Sequence, residues 1–334
     1  MKGLLSVAAG GPEALVIGDM AQPEPAPDEL LVEVAACGLN FPDLLVIEDR
    51  YQYRPARPFA PGSEISGTVV RTGADEGNWK PGDRLIATMP GSGGLAERAV
   101  VKASAAFPLP AGHDFVEAAG LLLTYGTAIH ALVDRARLAP GETLLVLGAA
   151  GGVGLAAVEI GRLLGARVVA AVSSEAKADV AREAGAEAVL IYPRDIGDDA
   201  ARKLLADRFK ALCGKDGADV ILDPVGGEYA RAAFRAIGWK GRYLVVGFPA
   251  GIPDFPGNLV LLKGGSVVGV FQGAFGEREP EANARNITQL LAWWAEGRFR
   301  PRVTGVYSLE RATEALKVMQ DRQVTGKLVV DLSR

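Results

Sequence analysis

Residues 144–154 constrain this chain more than any other stretch. Leu144, Leu145, Val146 and Leu147 are four consecutive apolar residues, the pattern of a parallel strand covered on both faces. Gly148, Ala149, Ala150, Gly151, Gly152, Val153 and Gly154 follow at once. Such a run lets the backbone turn sharply and approach a ligand closely. Leu155, Ala156, Ala157, Val158 and Ile160 then predict a helix packed on the sheet. A helix N-terminus offers free N–H groups and a positive dipole end, which suit a pyrophosphate. The stretch thus reads as a dinucleotide-binding turn, with Ala149 where the G-x-G-x-x-G pattern has its first glycine.

A strand–turn–helix of this kind needs a parallel sheet around it, and the sequence supplies one. Segments 167–172, 188–191, 218–222, 242–246 and 266–271 are further apolar runs separated by helical or loop stretches. With the strand at 144–147 they make six, the number of a complete doubly wound domain. Before this region the texture differs. Segments 30–34, 65–70, 84–88 and 96–101 alternate between apolar and polar residues and are split by Gly and Pro, which predicts an antiparallel β domain. Residues 115–127 predict one helix joining the two domains. In the tail, Ile287, Leu290, Leu291 and Trp294 share a helical face. Strands at 301–306 and 327–332 flank a helix at 309–319 and could complete the first domain. The chain has 334 residues, which favours two domains. The expected division is 1–125 with 275–334, and 126–274.

Composition removes several functions. A net charge of −4 gives no polyanion-binding signal, so no nucleic acid partner is expected. No apolar run approaches the ~18 residues of a membrane span, and none is expected. The first residues turn polar too soon for a signal peptide. Two cysteines, Cys37 and Cys213, cannot form a disulfide framework, and a cytoplasmic setting is expected. Cys37 lies at an apolar strand end and reads as core. Neither a G-x-S-x-G elbow nor a G-x-x-x-x-G-K-[ST] loop occurs.

Several further motifs stand in a fixed order: Ala36 to Asp43, Pro61 to Gly67, Pro81 to Arg84, Gly148 to Gly154, Asp223 to Gly227, and Thr325-Gly326-Lys327. With these the chain resembles the medium-chain dehydrogenase/reductase superfamily, specifically its zinc-free quinone oxidoreductase branch, nearly end to end. The resemblance implies an α/β protein: a GroES-like β-rich catalytic domain plus a doubly wound Rossmann domain, a cleft between them, and a homodimer paired through sheet edges. Zinc relatives place a cysteine ligand where this chain has Asn40 and a histidine ligand where it has Ser63. Their four-cysteine lobe is absent from residues 89–95. No metal is therefore expected, and alcohol oxidation of the zinc type is not expected either. The branch reduces polarised double bonds.

The cofactor expectation rests on charge. NAD enzymes usually carry Asp or Glu after the second strand. Here Val172 is followed by Ser173 and Ser174, with Lys177 close behind. Hydroxyls and an ammonium would bind the 2′-phosphate of NADPH, which a carboxylate would repel. The alternative is that Ser173 caps the next helix and Lys177 is a solvated charge. Tyr192 matches a family tyrosine that closes over the same phosphate. By the same resemblance Asn40 and Thr127 contribute to the NADPH site. Ala149, Ala150, Gly151, Gly152 and Val153 are expected there as the turn itself, and Gly247, Phe248, Val270 and Phe271 as residues that follow strands, the two aromatics having core packing as their alternative. Asn40 and Tyr51 are the candidate catalytic residues, Asn40 through a side-chain amide and Tyr51 as proton donor. Tyr53 could take the part of Tyr51, and water could supply the proton to a quinone. The expected activity is zinc-independent NADPH-dependent reduction of a quinone or conjugated carbonyl compound. Two alternatives stand beside it. An enoyl thioester reductase would use Arg50, Arg54 and Arg57 as a basic entrance, and a catalytically inert protein would bind NADPH alone.

Overall fold

The structure, a computed structural model, describes residues 1–75, 77–193 and 196–333. The chain opens with a hairpin-like pair, β1 (Lys2–Ser6) and β2 (Leu15–Asp19), which run antiparallel. β3 (Glu29–Gly38), α1 (Phe41–Ile47), β4 (Glu64–Thr72), β5 (Arg84–Thr88), β6 (Arg98–Lys102) and β7 (Ala106–Pro108) follow. Two helices come next, α2 (Phe115–Ala118) and α3 (Leu122–Ile129), and a π-helical stretch, His130–Arg135, continues α3.

The strand–helix alternation then runs as expected. Its elements are β8 (Thr143–Leu147), α4 (Gly152–Leu163), β9 (Arg167–Val172), α5 (Glu175–Glu183), β10 (Ala188–Ile191), α6 (Asp199–Cys213), β11 (Ala218–Asp223), α7 (Gly227–Phe234), β12 (Ile237–Val245), α8 (Gly257–Lys263) and β13 (Ser266–Gly269). The tail comprises α9 (Gln272–Arg278), α10 (Pro280–Ala295), β14 (Val303–Tyr307), α11 (Ala312–Gln320) and β15 (Lys327–Asp331).

Two compact units result. The first holds residues 1–123, 276–280 and 300–334; the second holds 124–275 and 281–299. In the first, the strand order is β14-β15-β3-β4-β5-β7, with β6 also on β3. The C-terminal β15 pairs antiparallel with β3, so the tail does complete the N-terminal β unit. Leu30, Val32, Ile65, Leu85, Leu316 and Val330 are buried together in its core. In the second unit all six strands are parallel, in the order β10-β9-β8-β11-β12-β13. That is the doubly wound order, with its switch point beside β8.

Two expectations need correction. The single helix expected over 115–127 is divided at residues 119–121. Gly120 is a poor helix former. The Ala119 carbonyl is also pressed against β3, where a Cβ on Gly38 would lie 1.8 Å from its oxygen. The segment 281–299, expected with the first domain, packs within the second unit. Ile287, Leu290 and Trp294 are buried there. Asn286 donates to Asp134 at 2.7 Å, and the Phe299 ring stacks on Tyr125 at 4.5 Å.

Candidate active site

Parallel strands all end on the same side of a sheet, so residues that follow them share one edge. Gly148 follows β8, Ser173 follows β9, Tyr192 follows β10, Asp223 ends β11, Gly247 follows β12 by two residues and Val270 follows β13. The expected cofactor residues of the second unit therefore lie along its carboxyl edge, where doubly wound sheets bind ligands.

The turn after β8 is set by close packing. Gly148 has a positive φ of 58°, which glycine adopts without strain. A Cβ at Gly154 would sit 2.2 Å from the Gly148 carbonyl oxygen, so only glycine lets α4 start this close to β8. The Gly151 N–H donates to the Gly148 carbonyl at 2.9 Å. Gly151 also begins α4 without any side-chain cap. Gly151, Gly152 and Val153 are partly exposed, whereas Ala149 and Ala150 are buried. The turn thus presents backbone amides, and the two alanines contribute shape rather than side-chain contact.

The neighbouring turn is held by a carboxylate. Buried Asp223 accepts from the Val225 and Gly226 amides at 2.7 and 2.8 Å through Oδ1, and from the Tyr243 hydroxyl at 2.6 Å through Oδ2. The Asp223 carbonyl accepts from Val246 N at 3.0 Å, which fixes the approach to Gly247. Phe248 and Phe271 are about half exposed, at 47% and 53%, so both have faces free for a ligand. Val270 is buried and its N–H donates to Val245 O at 2.9 Å. Thr127 is buried on α3.

Around the expected phosphate position the helix cap is Ser174, not Ser173. The Ser174 Oγ accepts from Lys177 N at 3.4 Å, which leaves Ser173 partly exposed ahead of α5. Tyr192 is only 7% exposed and packs at 4.8 Å on Tyr229, in the same core as Phe209. Its ring is thus part of that core.

The first unit holds a different kind of centre, made of side chains. Asn40 precedes α1. Its N–H donates to Asp43 Oδ2 at 2.7 Å, and its Nδ2 donates to Gly38 O at 3.0 Å and Glu64 Oε2 at 3.1 Å. The Lys327 ammonium donates to Asn40 Oδ1 at 2.7 Å, Glu64 Oε2 at 3.0 Å and Leu39 O at 3.0 Å. An ammonium cannot accept, so it fixes which way the Asn40 amide faces. Ser63 Oγ donates to Asp43 Oδ1 at 3.1 Å. Burial pushes the Asp43 carboxyl up to about 6. Both N–H groups of Asn40 are therefore spent inside the fold, and the expected donation to a substrate carbonyl requires releasing one of them. Tyr51 is half-buried; burial, and then the charge of Asp43, raise its phenol above the ordinary value, so it holds its proton. The Tyr53 hydroxyl lies 3.3 Å from Ser92 Oγ. Cys37 is fully buried core, its thiol pushed well upward by burial.

Two groups here carried no role in the sequence reading. Lys327 stood only as the end of the Thr325-Gly326-Lys327 motif, with no part in the site. Glu159 sits mid-helix in α4, mostly buried, and accepts from the Tyr125 hydroxyl at 2.5 Å. Burial, offset by that hydrogen bond and by Arg162, pushes its carboxyl up to about 7.

A sheet of this order with a glycine turn at its switch point, joined to a GroES-like β unit, defines a medium-chain dehydrogenase/reductase. The comparisons agree. Residues 26–111 match the alcohol dehydrogenase GroES-like domain, and 152–289 match the zinc-binding dehydrogenase domain. The chain is 37% identical to quinone oxidoreductase-like protein 2 of Bos taurus, covering 95% of this chain and 89% of that one. It superposes on the Escherichia coli quinone oxidoreductase complexed with NADPH with a TM-score of 0.88, at 26% identity, over 99% of this chain and 100% of the other. CurK enoyl reductase gives 0.86 at 26% identity, over 99% of each. The chain belongs to the quinone oxidoreductase family of the medium-chain dehydrogenase/reductases.

Zinc figures in the description of one matching domain, but the residues of the first unit do not fit it. The donors nearest Asn40 and Glu64 already surround the Lys327 ammonium. Among the described residues no group of three or more His, Cys, Asp or Glu is arranged to hold a metal. No helix among the described residues is long and apolar enough to cross a membrane.

Proposed function

We propose that this chain is a zinc-independent, NADPH-dependent reductase that delivers hydride to a quinone or conjugated carbonyl compound. The observation that carries this reading is the carboxyl edge of the second unit, where the uncapped start of α4 offers its first-turn amides to a pyrophosphate. When bound, the reduced nicotinamide supplies the hydride. The protein's own residues bind, orient and hold the proton. Gly151, Gly152 and Val153 bind the pyrophosphate through backbone N–H groups. Ser173 and Lys177 bind the 2′-phosphate, which favours NADPH over NADH. Thr127, Gly247, Phe248, Val270 and Phe271 orient the nicotinamide end. Tyr51 keeps its phenolic proton available at neutral pH.

The likeness to an enoyl reductase supports a second reading, reduction of an enoyl thioester. Its basic entrance is weakened here. Arg57 Nη1 donates to both oxygens of Asp49 at 2.9 and 3.0 Å, and Arg50 pairs with Glu48 at 3.0 Å. That leaves Arg54 as the remaining candidate for a phosphopantetheine partner. We also expect a homodimer. β13 is the outer strand of its sheet, and Trp239, Leu261 and Leu262 nearby in the fold are 68%, 79% and 67% exposed. Sedimentation of the wild type checks this, a monomer being the contrary outcome. Two unpaired, buried cysteines support a reducing, cytoplasmic setting.

An NADPH-oxidation screen across quinones, alkenals and enoyl-CoA esters tests the activity. Turnover of quinones or alkenals is expected. Turnover of enoyl-CoA esters alone would select the second reading, and tight NADPH binding without any turnover would mark a binding protein.

A further inference from the structure

Lys327 is 4% exposed and Glu64 is fully buried. A lone ammonium in such a place would be costly. Three acceptors surround this one: Asn40 Oδ1, Glu64 Oε2 and Leu39 O, at 2.7, 3.0 and 3.0 Å. All three N–H bonds are thereby used. Strand pairing brings these distant residues together. β15 lies antiparallel to β3, with Val329 opposite Gly38, and Leu39 N donates to Leu328 O at 2.9 Å.

Glu64 carries the effect onward. Its second oxygen, Oε1, accepts from Leu123 N at 2.9 Å. Leu123 is in the first turn of α3, so the carboxylate sits at that helix's positive end. Thr127 is four residues further along the same helix, one turn on. A shift in how α3 starts is therefore passed to Thr127 by helix rigidity.

We infer that Lys327 is the resident cation of this buried centre and a positioning residue: it fixes Asn40 and Glu64, and through Glu64 the first turn of α3 and the placement of Thr127. The site does with a lysine what a bound metal ion would otherwise do, neutralising Glu64 and orienting its neighbours. Asn40 is then a spacer between two fixed charges, not a donor to substrate. The catalytic part of this inference rests on the NADPH reductase reading; the structural part does not.

The test is Lys327→Met, which keeps the length of the side chain and removes the charge. Leu328→Ala, one residue on in the same buried strand, serves as the destabilised control. Hydrogen exchange reads the α3 amides directly. In Lys327→Met those of Leu123 and its neighbours should exchange at least about tenfold faster than in Leu328→Ala, the equivalent of one charge-assisted hydrogen bond lost. Amides of α6 should be equal in the two variants. In kinetics, kcat should fall at least about tenfold on the same reasoning, while NADPH affinity changes less than about threefold, because Thr127 concerns only the nicotinamide end. If Lys327→Met does not fold, Lys327→Met/Glu64→Gln removes the uncompensated charge and restores a measurable protein. Its α3 amides should still exchange faster than the control, since a neutral amide accepts more weakly than a carboxylate. Exchange of α3 matching that of Leu328→Ala in whichever variant folds would overturn the inference. So would a kcat that falls no further than in the control. A wild type that never oxidises NADPH would overturn the proposed function instead, and the exchange comparison alone would then decide this inference.

Discussion

In the second unit the turn after β8 offers a ligand its backbone amides, whereas the polar centre of the first unit is made of side chains that face one another. Gly151 starts α4 with no side-chain cap. Asn40, Glu64 and Lys327 leave hardly a polar atom among them without a protein partner. The contrast separates two tasks. An anion site must keep donors open, and glycine does this without a side chain to fill the space. A buried charged centre must satisfy every donor and acceptor, because unpaired groups there are costly. The turn after β8 leaves its donors open, and the buried centre turns its polar groups on one another.

The largest effect expected from this contrast comes from closing the backbone site. Gly154→Val places branched carbon where a single Cβ would already lie 2.2 Å from the Gly148 oxygen. The turn must open, and the amides of Gly152 and Val153 lose their common aim. NADPH affinity should fall by about a hundredfold or more, the equivalent of one or two hydrogen bonds to a charged group. Thermal unfolding should also show about 1–3 kcal/mol of destabilisation from overpacking. Calorimetric titration and melting check the two parts. Unchanged affinity would mean that the turn is structural only.

The same contrast explains what could be read in the sequence. The glycine turn lies within seven consecutive residues, and its spacing carries the geometry. The six parallel strands were equally legible, since each is a local apolar run. The buried centre was not legible as a unit. Asn40 and Ser63 could be found by resemblance, but nothing local says that Lys327, 287 positions from Asn40, donates to its amide. Only the pairing of β15 with β3 brings them together. Glu159 was missed for a related reason. On a helix rich in small apolar residues it looks like a solvent-facing carboxylate, and its partner Tyr125 lies on another element. The segment 281–299, most of it α10, was placed with the wrong unit because its apolar face says that it packs, not against what.

A smaller effect should sharpen the cofactor side. Lys177→Ala should weaken NADPH by about ten- to a hundredfold, the value of one charge-assisted contact, and leave NADH nearly unchanged. Ser173→Asp should lower the preference further by setting a carboxylate against the phosphate. Fluorescence titrations at two salt concentrations check both, and the difference between cofactors should shrink as salt rises. Equal weakening of both cofactors would assign Lys177 to the fold instead.

Next in size is a titration. Glu159 holds its proton up to about pH 7 in the folded chain, against about 4.5 when unfolded. Between these values the unfolded state sheds its proton first, so stability falls as pH rises through that window. Glu159→Gln keeps an acceptor for Tyr125 and cannot ionise. Its stability relative to wild type should be near zero below pH 4.5 and should rise to a gain of about 1–3 kcal/mol above pH 7. Melting curves at pH 4, 6 and 8 measure this, and a constant difference across pH would show that Glu159 does not titrate there.

The smallest expected effect is none, and it bears on the side-chain centre. A divalent cation among Asn40, Ser63 and Glu64 would have to displace an ammonium already held by three acceptors, and would meet an amide, a hydroxyl and one carboxylate in place of thiolate and imidazole. The Ser63 hydroxyl is itself committed to Asp43. Neither the charge nor the donor set favours the exchange. Purified protein should therefore carry far less than one zinc per chain by elemental analysis. Its NADPH oxidation should be the same before and after exhaustive chelation, with or without zinc added back. Stoichiometric zinc lost together with activity would mean that Lys327 yields its place to a metal, and the division between an open backbone site and a closed side-chain centre would fail at its second half.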